Sequence, residues 1–275
     1  MSTLFLVATP IGNLQDISPR ALETLRAVSL IAAEDTRTAK QLLAHFDIHT
    51  PVTSFFEHSK QNKMNLLCDA LDAGDVAVIS EAGMPGINDP GYELVRAAIA
   101  REHRVSPIPG PSAVLAALVA SGIAANAFLY VGFLPREPQA RRKFLRELAS
   151  ERDTIVAFET PHRLRDALAD MENIFGATRQ ICVARELTKL FEEFQRGTIA
   201  QMRAHFAQHE PRGEFTLVIA GASHAARAAQ VEWDDARVKR EFKKLIAQGV
   251  PRTEAVKRIA KQSGRERRQI YDLTL

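Results

Sequence analysis

The chain has 275 residues, enough for two domains and a small third, and its 46% hydrophobic and 25% charged content excludes an intrinsically disordered protein. No run reaches the roughly 18 apolar residues of a membrane-spanning helix, and the short apolar stretch Met1–Ala8 lacks the basic flank of a signal peptide. The net charge of +3 excludes a chain that is basic throughout, yet the charge is uneven: residues 234–275 hold 12 Lys/Arg against 6 Asp/Glu, and the rest hold 24 against 27.

In chain order, Leu4–Ala8 reads as a strand and Pro19–Val28 as an amphipathic helix, with Ser18 as its cap and Pro19 at the first helical position. Leu30–Ala33 is a strand, Thr38–Phe46 a helix, Val52–Phe56 a strand, Lys63–Leu71 a helix and Val76–Ile79 a strand. Asp89 and Pro90 suit the start of a helix over Tyr92–Ala100, and Arg104–Pro111 is a strand ending in a proline-rich turn. The alternation continues with Ser112–Ala120 (helix), Phe128–Phe133 (strand), Arg141–Ala149 (helix), Thr154–Phe158 (strand) and Arg163–Ile174 (helix). Ile181–Ala184 and Phe215–Ile219 are strands, with Ile199–Phe206 helical between them. This rhythm predicts an α/β protein with domains over 1–111 and 112–221. A linker is expected over 222–233, then a basic helix-turn-helix-like module over 234–275 with helices at Ala236–Ala247, Arg252–Gln262 and Arg265–Leu273. Cys68 and Cys182 fall far apart inside apolar segments and are expected to be reduced, as in a cytoplasmic protein, and no Cys/His spacing suggests a metal site.

The strand ends carry the chemistry. Val76–Ile79 runs into Ser80-Glu-Ala-Gly-Met-Pro-Gly-Ile-Asn-Asp-Pro-Gly91, a Gly/Pro-rich loop with two carboxylates and no Lys. Such a loop is a poor phosphate cradle and suits ribose hydroxyls, an amino group or a cation. The first strand ends in Thr9-Pro-Ile-Gly-Asn-Leu-Gln-Asp16 and the second in Glu34-Asp-Thr-Arg37, where Asp35 or Thr36 also suits a helix cap. Polar ends on successive strands of an open α/β sheet converge on one crevice. The second half adds Pro109-Gly-Pro-Ser-Ala113, Gly132-Phe-Leu-Pro135, Glu159-Thr-Pro-His-Arg163, Arg185-Glu-Leu-Thr-Lys189 and Gly213-Glu-Phe-Thr216.

Together the series TPIGNLQD, AEDTR, SEAGMPGINDPG, PGPSA, GFLP, ETPHR, RELTK and GEFT resembles the tetrapyrrole-methylase superfamily, and within it the ribosomal RNA small subunit methyltransferase I family. The motifs follow the family's order over residues 4 to about 221. The resemblance implies two α/β domains with S-adenosyl-L-methionine in the cleft between them, usually in a homodimer. The implied activity is 2′-O-methylation of a cytidine ribose in the decoding region of small-subunit (16S) ribosomal RNA, free or in the 30S subunit. By matching positions, the cofactor would meet Gly83, Met84, Pro85, Ile87, Ser112, Ala113, Leu134, Ala184 and Thr216, and Pro10, Gly12 and Asn13 would face the substrate. The family's usual Ser-Asp-Ala-Gly-Thr-Pro reads Ser80-Glu-Ala-Gly-Met-Pro85 here, with a longer carboxylate and a thioether in place of a hydroxyl.

Transfer to a ribose hydroxyl needs a group to manage its proton. Asp16, Glu34, Asp35 and Asp89 lie at expected strand ends, with Glu34 and Asp35 first in line as catalytic residues. Arg37 and Arg163 suit the RNA backbone or, equally, an ion pair with a motif carboxylate. The basic tail and the cluster Arg136, Arg141, Arg142, Lys143 and Arg146 form the expected RNA footprint. Two rival functions are methylation of a porphyrin-like ring or modified protein residue, which needs no basic tail, and a ligand-sensing DNA-binding regulator, which leaves the motif loops unexplained.

Overall fold

The computed structural model describes residues 1–55, 61–87, 91–222, 235–263 and 265–274. β1 (Thr3–Val7) leads through a 3₁₀ turn (Leu14–Asp16) to α1 (Pro19–Ala27). β2 (Leu30–Ala33), α2 (Thr36–His45), β3 (Val52–Ser54), α3 (Gln61–Ala73), β4 (Val76–Ile79), α4 (Tyr92–Ala100) and β5 (Arg104–Ile108) follow. The five strands form one sheet in the order β3-β2-β4-β1-β5, and every neighbouring pair is parallel.

That order dictates the layers. The chain steps one way across the sheet from β1 to β3 and back again from β3 to β5, so right-handed crossovers put α1 and α2 on one face and α3 and α4 on the other. The core divides accordingly. Ala21, Leu25, Ala39 and Leu43 pack with Val7, Ile31, Ala33, Ala77 and Ile79. Leu67, Leu71, Leu94 and Ala98 pack with Leu4, Ala32, Val76 and Val78. β4 is buried on both faces, which is why Val76-Ala-Val-Ile79 is apolar without alternation. Ser18 caps α1, its hydroxyl accepting from Ala21 N at 3.1 Å, and Pro19 fills the first helical position; such a cap contributes about 1 kcal/mol.

α5 (Ala113–Ala120) follows β5, and a second sheet forms from β6 (Phe128–Phe133), β7 (Thr154–Glu159), β8 (Gln180–Arg185), β9 (Glu193–Thr198) and β10 (Phe215–Ile219). Its order is β6-β7-β10-β8-β9, with β6 and β7 parallel. α6 (Pro138–Glu147), α7 (Pro161–Phe175) and α8 (Ile199–Gln208) connect these strands. α6 and α7 begin earlier than the sequence reading has them, because Pro138 and Pro161 occupy their first turns. β9 is absent from that reading: Glu193, Gln195, Arg196 and Gly197 spoil the apolar alternation, which an edge strand does not require. By contact density the chain forms two compact units, one of Met1–Gly122, Val183–Gln195 and Gly213–Leu217, the other of Ile123–Cys182, Arg196–Arg212 and Val218–Leu275.

Beyond Ala222 the expected linker lies outside the described residues, as do Asp89 and Pro90. α9 (Asp235–Ala247), α10 (Arg252–Ser263) and α11 (Arg267–Leu273) share a core of Val238, Phe242, Ala255, Val256, Ile259 and Ile270. Arg265 belongs to the connection rather than to α11 and pairs with Asp235 at 2.6 Å. Among the described residues no helix is long and apolar enough to cross a membrane.

One glycine has no room for a side chain. A Cβ on Gly221, just past β10, would sit 1.8 Å from Arg152 O and 2.5 Å from its carbonyl carbon. Both are backbone atoms, and the next residue is bonded to the same turn through Ala222 N to Glu151 O at 2.6 Å. Gly221→Ala is therefore expected to destabilise the fold by on the order of 3 kcal/mol. A thermal midpoint lowered by less than about 2 °C would overturn this.

Candidate functional site

Six of the eight motif loops converge in the first unit, and hydrogen bonds and close approaches define how. β1 and β4 are neighbours, so the loops leaving their carboxyl ends start side by side. Thr9 N–H donates to Gly83 O at 2.9 Å and Gly83 N–H returns to Thr9 O at 3.1 Å, a two-bond clamp between the TPIGN and SEAGMPG segments. Gly83 holds φ +86°, and a Cβ there would meet Ile11 at 3.4 Å and Pro111 O at 3.6 Å. The PGPSA loop closes on the same place, since a Cβ on Gly110 would lie 2.9 Å from that of Ala8. Within the opening loop Gly83 and Pro85 are buried, Met84 is half-buried and Ile87 is exposed. Ser112 caps α5 through Leu115 N at 3.5 Å, with Ala113 the first residue of that helix.

Glu34 and Asp35 follow β2 and have different surroundings. Glu34 accepts from the Glu81 backbone N–H at 3.4 Å, tying the AEDTR segment to the β4 loop. Asp35 is the N-cap of α2: one oxygen accepts from Arg37 N at 2.7 Å and the other from the Arg37 guanidinium at 2.8 Å. The Arg37 side chain and backbone bonds hold the Asp35 carboxyl down at about 2. Of the two open readings of this segment, helix capping is thus realised by Asp35. Arg37 extends into solvent with a side chain 88% exposed.

A groove of about 300 Å³ opens between α2 and the loops after β1 and β4. Thr9, Ser80, Glu81, Thr38, Gln41 and His45 supply its polar lining, and Pro10, Leu14 and Leu42 its apolar wall. The α2 face Thr38–Gln41–His45 is a part of this site that the sequence reading misses; its signal was polar residues at helical spacing behind a strand-end cluster. Asn13 caps the 3₁₀ turn, its side chain accepting from Gln15 N at 3.0 Å.

The RELTK and GEFT segments interlock beside Gly12. A Cβ on Gly12 would meet Lys189 Cγ and lie 2.9 Å from Leu187 O, so glycine lets these chains touch. Lys189 Nζ bridges Glu186 at 2.9 Å and Glu214 at 3.0 Å, and Glu186 also accepts from Glu214 N at 3.0 Å. Glu186 and Thr188 take left-handed φ of 49° and 62°; the bonds to Lys189 and Glu214 N–H hold the first, and Thr188 N–H donates to the Glu192 carboxylate at 2.7 Å. Ala184 and Thr216, in β8 and β10, are both buried.

The two remaining motifs meet in the second unit. Arg163 donates to Leu134 O at 3.0 Å, Thr160 Oγ1 at 3.1 Å and the Glu159 carboxylate at 2.7 Å. Its guanidinium is thereby engaged with protein, which realises the ion-pair alternative. Arg141 likewise leaves the expected RNA footprint: it is 3% exposed and bound to Asp170 at 2.8 Å, while Arg136, Lys143 and Arg146 stay exposed.

Residues 3–203 match the family described as Tetrapyrrole (Corrin/Porphyrin) Methylases. The chain is 45% identical to a ribosomal RNA small subunit methyltransferase I of Synechocystis sp., over 100% of this chain and 98% of the other. It is 40% identical to the protein of the same name from Bacillus subtilis, over 99% of this chain and 94% of the other. Among solved structures, a cobalt precorrin-4 methyltransferase matches with TM-score 0.60 at 16% identity, covering 79% of this chain and 94% of that one. A uroporphyrin-III-C-methyltransferase from Thermus thermophilus matches with TM-score 0.57, also at 16%, over 84% and 98%.

Proposed function

The chain belongs to the tetrapyrrole methylases, within the ribosomal RNA small subunit methyltransferase I family, and on that premise we propose that it methylates small-subunit ribosomal RNA at the 2′-oxygen of a cytidine in the decoding region. The observation that supports this reading is the meeting of the β1 and β4 loops, bonded to each other through Thr9 and Gly83, with α2 around a groove of about 300 Å³ lined by both polar and apolar side chains. S-adenosyl-L-methionine, when bound, supplies an electrophilic methyl group on a sulfonium.

The residues present fit that ligand. The turn from Glu81 to Ile87 exposes backbone at Gly86, which like Gly83 has positive φ, contains no cation that would repel a sulfonium, and exposes Glu81. Ser112, Ala113, Leu134, Ala184 and Thr216 complete the set assigned to it by matching positions. Pro10, Gly12 and Asn13 are assigned to the substrate; of these Pro10 lines the groove, where with Leu14 and Leu42 it gives a base an apolar wall and Gln41 and His45 give it polar partners. Holding the acceptor oxygen in line is the protein's largest contribution, about 7–11 kcal/mol in favourable cases. Glu34, tied to the groove through Glu81, receives the hydroxyl proton.

The protein would act in the cytoplasm on ribosomal RNA or the 30S subunit, as a homodimer; α5 exposes Leu115 and Val119 one turn apart, a pattern suited to a second copy. The exposed basic face of α9–α11 supports an RNA substrate over a porphyrin-like ring. Incubation with methyl-labelled S-adenosylmethionine and small-subunit particles lacking the modification tests the reading. The expected product is one labelled position in the decoding region that resists alkaline hydrolysis, as a 2′-O-methyl group must. Label on a base, or no transfer to RNA, overturns it.

A further inference from the structure

We infer that Arg163 and Glu159 are positioning residues for the methyl donor: they fix the backbone at Leu134, and with it the wall that GFLP presents to S-adenosylmethionine. The inference rests on the proposed function only in taking Leu134 as a cofactor contact.

β6 and β7 pair Tyr130 with Val156 and then Phe133 with Phe158, so two residues of β6 face one of β7. Gly132 takes φ +68° at this bulge, a conformation natural to glycine. The bulge re-aims the chain just before Leu134, which then leaves the strand with a buried side chain. Phe133 is the last β6 residue paired with β7, so the direction of the chain at Leu134 is set by contacts outside the ladder.

Arg163, in the first turn of α7, sets it. All three guanidinium nitrogens are used, on the Leu134 carbonyl, the Thr160 hydroxyl and the Glu159 carboxylate. Glu159 closes the bracket from the last position of β7, accepting from Thr160 N at 2.7 Å through the oxygen that also meets Arg163. A lysine has one compact head and cannot hold a carbonyl, a hydroxyl and a carboxylate in three fixed directions.

The bracket is a poor stability device. The Glu159 side chain is 0% exposed, and its other oxygen, Oε2, has no hydrogen-bond partner among the described residues. Burial pushes the Glu159 pKa up against the opposing pull of the Thr160 N–H, Arg163 and Arg141. Buried ion pairs are often replaced by apolar residues at no loss of stability, and an orphaned buried oxygen lowers stability further. What the pair provides that an apolar pair cannot is a donor fixed on Leu134 O.

That difference gives the test. In the full chain, Glu159→Leu with Arg163→Met fills the site with apolar volume, and Arg163→Lys keeps the charge without the fork. Calorimetric titration with S-adenosylmethionine is expected to show about tenfold weaker binding in both, as for loss of one charge-assisted hydrogen bond. The KM for S-adenosylmethionine should rise with it, while kcat at saturation changes far less. Wild-type affinity in a folded double variant assigns the pair to structure alone and overturns the inference, as does loss of the fold in both variants. Amide exchange of residues 132–136 in the wild-type protein, with and without S-adenosylmethionine, separates this from the underlying reading. Absence of protection there shows that Leu134 is no cofactor contact, whereas protection combined with unchanged affinity in the variants rejects the bracket only.

Discussion

Glu34→Gln is expected to lower the single-turnover rate of methyl transfer about 10²–10⁴-fold, the range for loss of a general base, with little change in S-adenosylmethionine affinity. Asp35→Asn, one residue on, is expected to cost less than about tenfold, because Asn caps a helix as well as Asp does. The contrast comes from what each carboxylate already does. Asp35 is bound by the Arg37 N–H and guanidinium, and its pKa of about 2 makes it a weak base at neutral pH. Its depressed pKa adds stability at pH values above the ordinary carboxylate range, and that contribution disappears as pH falls toward 2. Glu34 instead reaches the β4 loop beside the groove, through the Glu81 N–H. Equal losses in the two variants, or a larger loss in Asp35→Asn, would remove Glu34 from the base role.

Neutralising Lys239, Arg240, Lys243 and Lys244 together with glutamine is expected to weaken binding of the RNA substrate roughly 10²-fold at low ionic strength. The log–log salt dependence should flatten by about one unit for each phosphate contact removed. All four side chains are exposed on α9, whereas the α9 core positions Val238 and Phe242 lie elsewhere on the helix. Glutamine favours helix nearly as well as lysine, so α9 should remain folded. S-adenosylmethionine binding should be unaffected. An unchanged salt slope would place the RNA contacts elsewhere, with Arg136, Lys143 and Arg146 on α6 and the turn before it as the next surface to neutralise.

Element order was legible because period and punctuation are local. Apolar runs such as Val76–Ile79, and starts such as Ser18-Pro19, are written within a few residues of where they act. The clustering of polar strand ends was legible for the same reason: in a parallel sheet every strand presents its carboxyl end to the same edge. β9 was not, because an edge strand can be polar, and Glu193-Phe-Gln-Arg-Gly-Thr198 looks like a loop. Arg141 reads as one of a basic group on a surface helix; its partner Asp170 lies 29 positions away on α7.

The sequence alone determined the alternating α/β order, the family resemblance and which loops carry polar chemistry, since these depend on residue type and spacing along one segment. Only the tertiary structure decided which motif touches which. Gly12 faces the RELTK segment, Glu34 reaches the Glu81 N–H, and Arg163 turns inward to the Leu134 carbonyl. Those partners are fixed by strand order and helix packing, which bring together groups far apart in the chain. A side chain with several donors, such as Arg163, takes whichever acceptors the fold delivers within 3 Å or so.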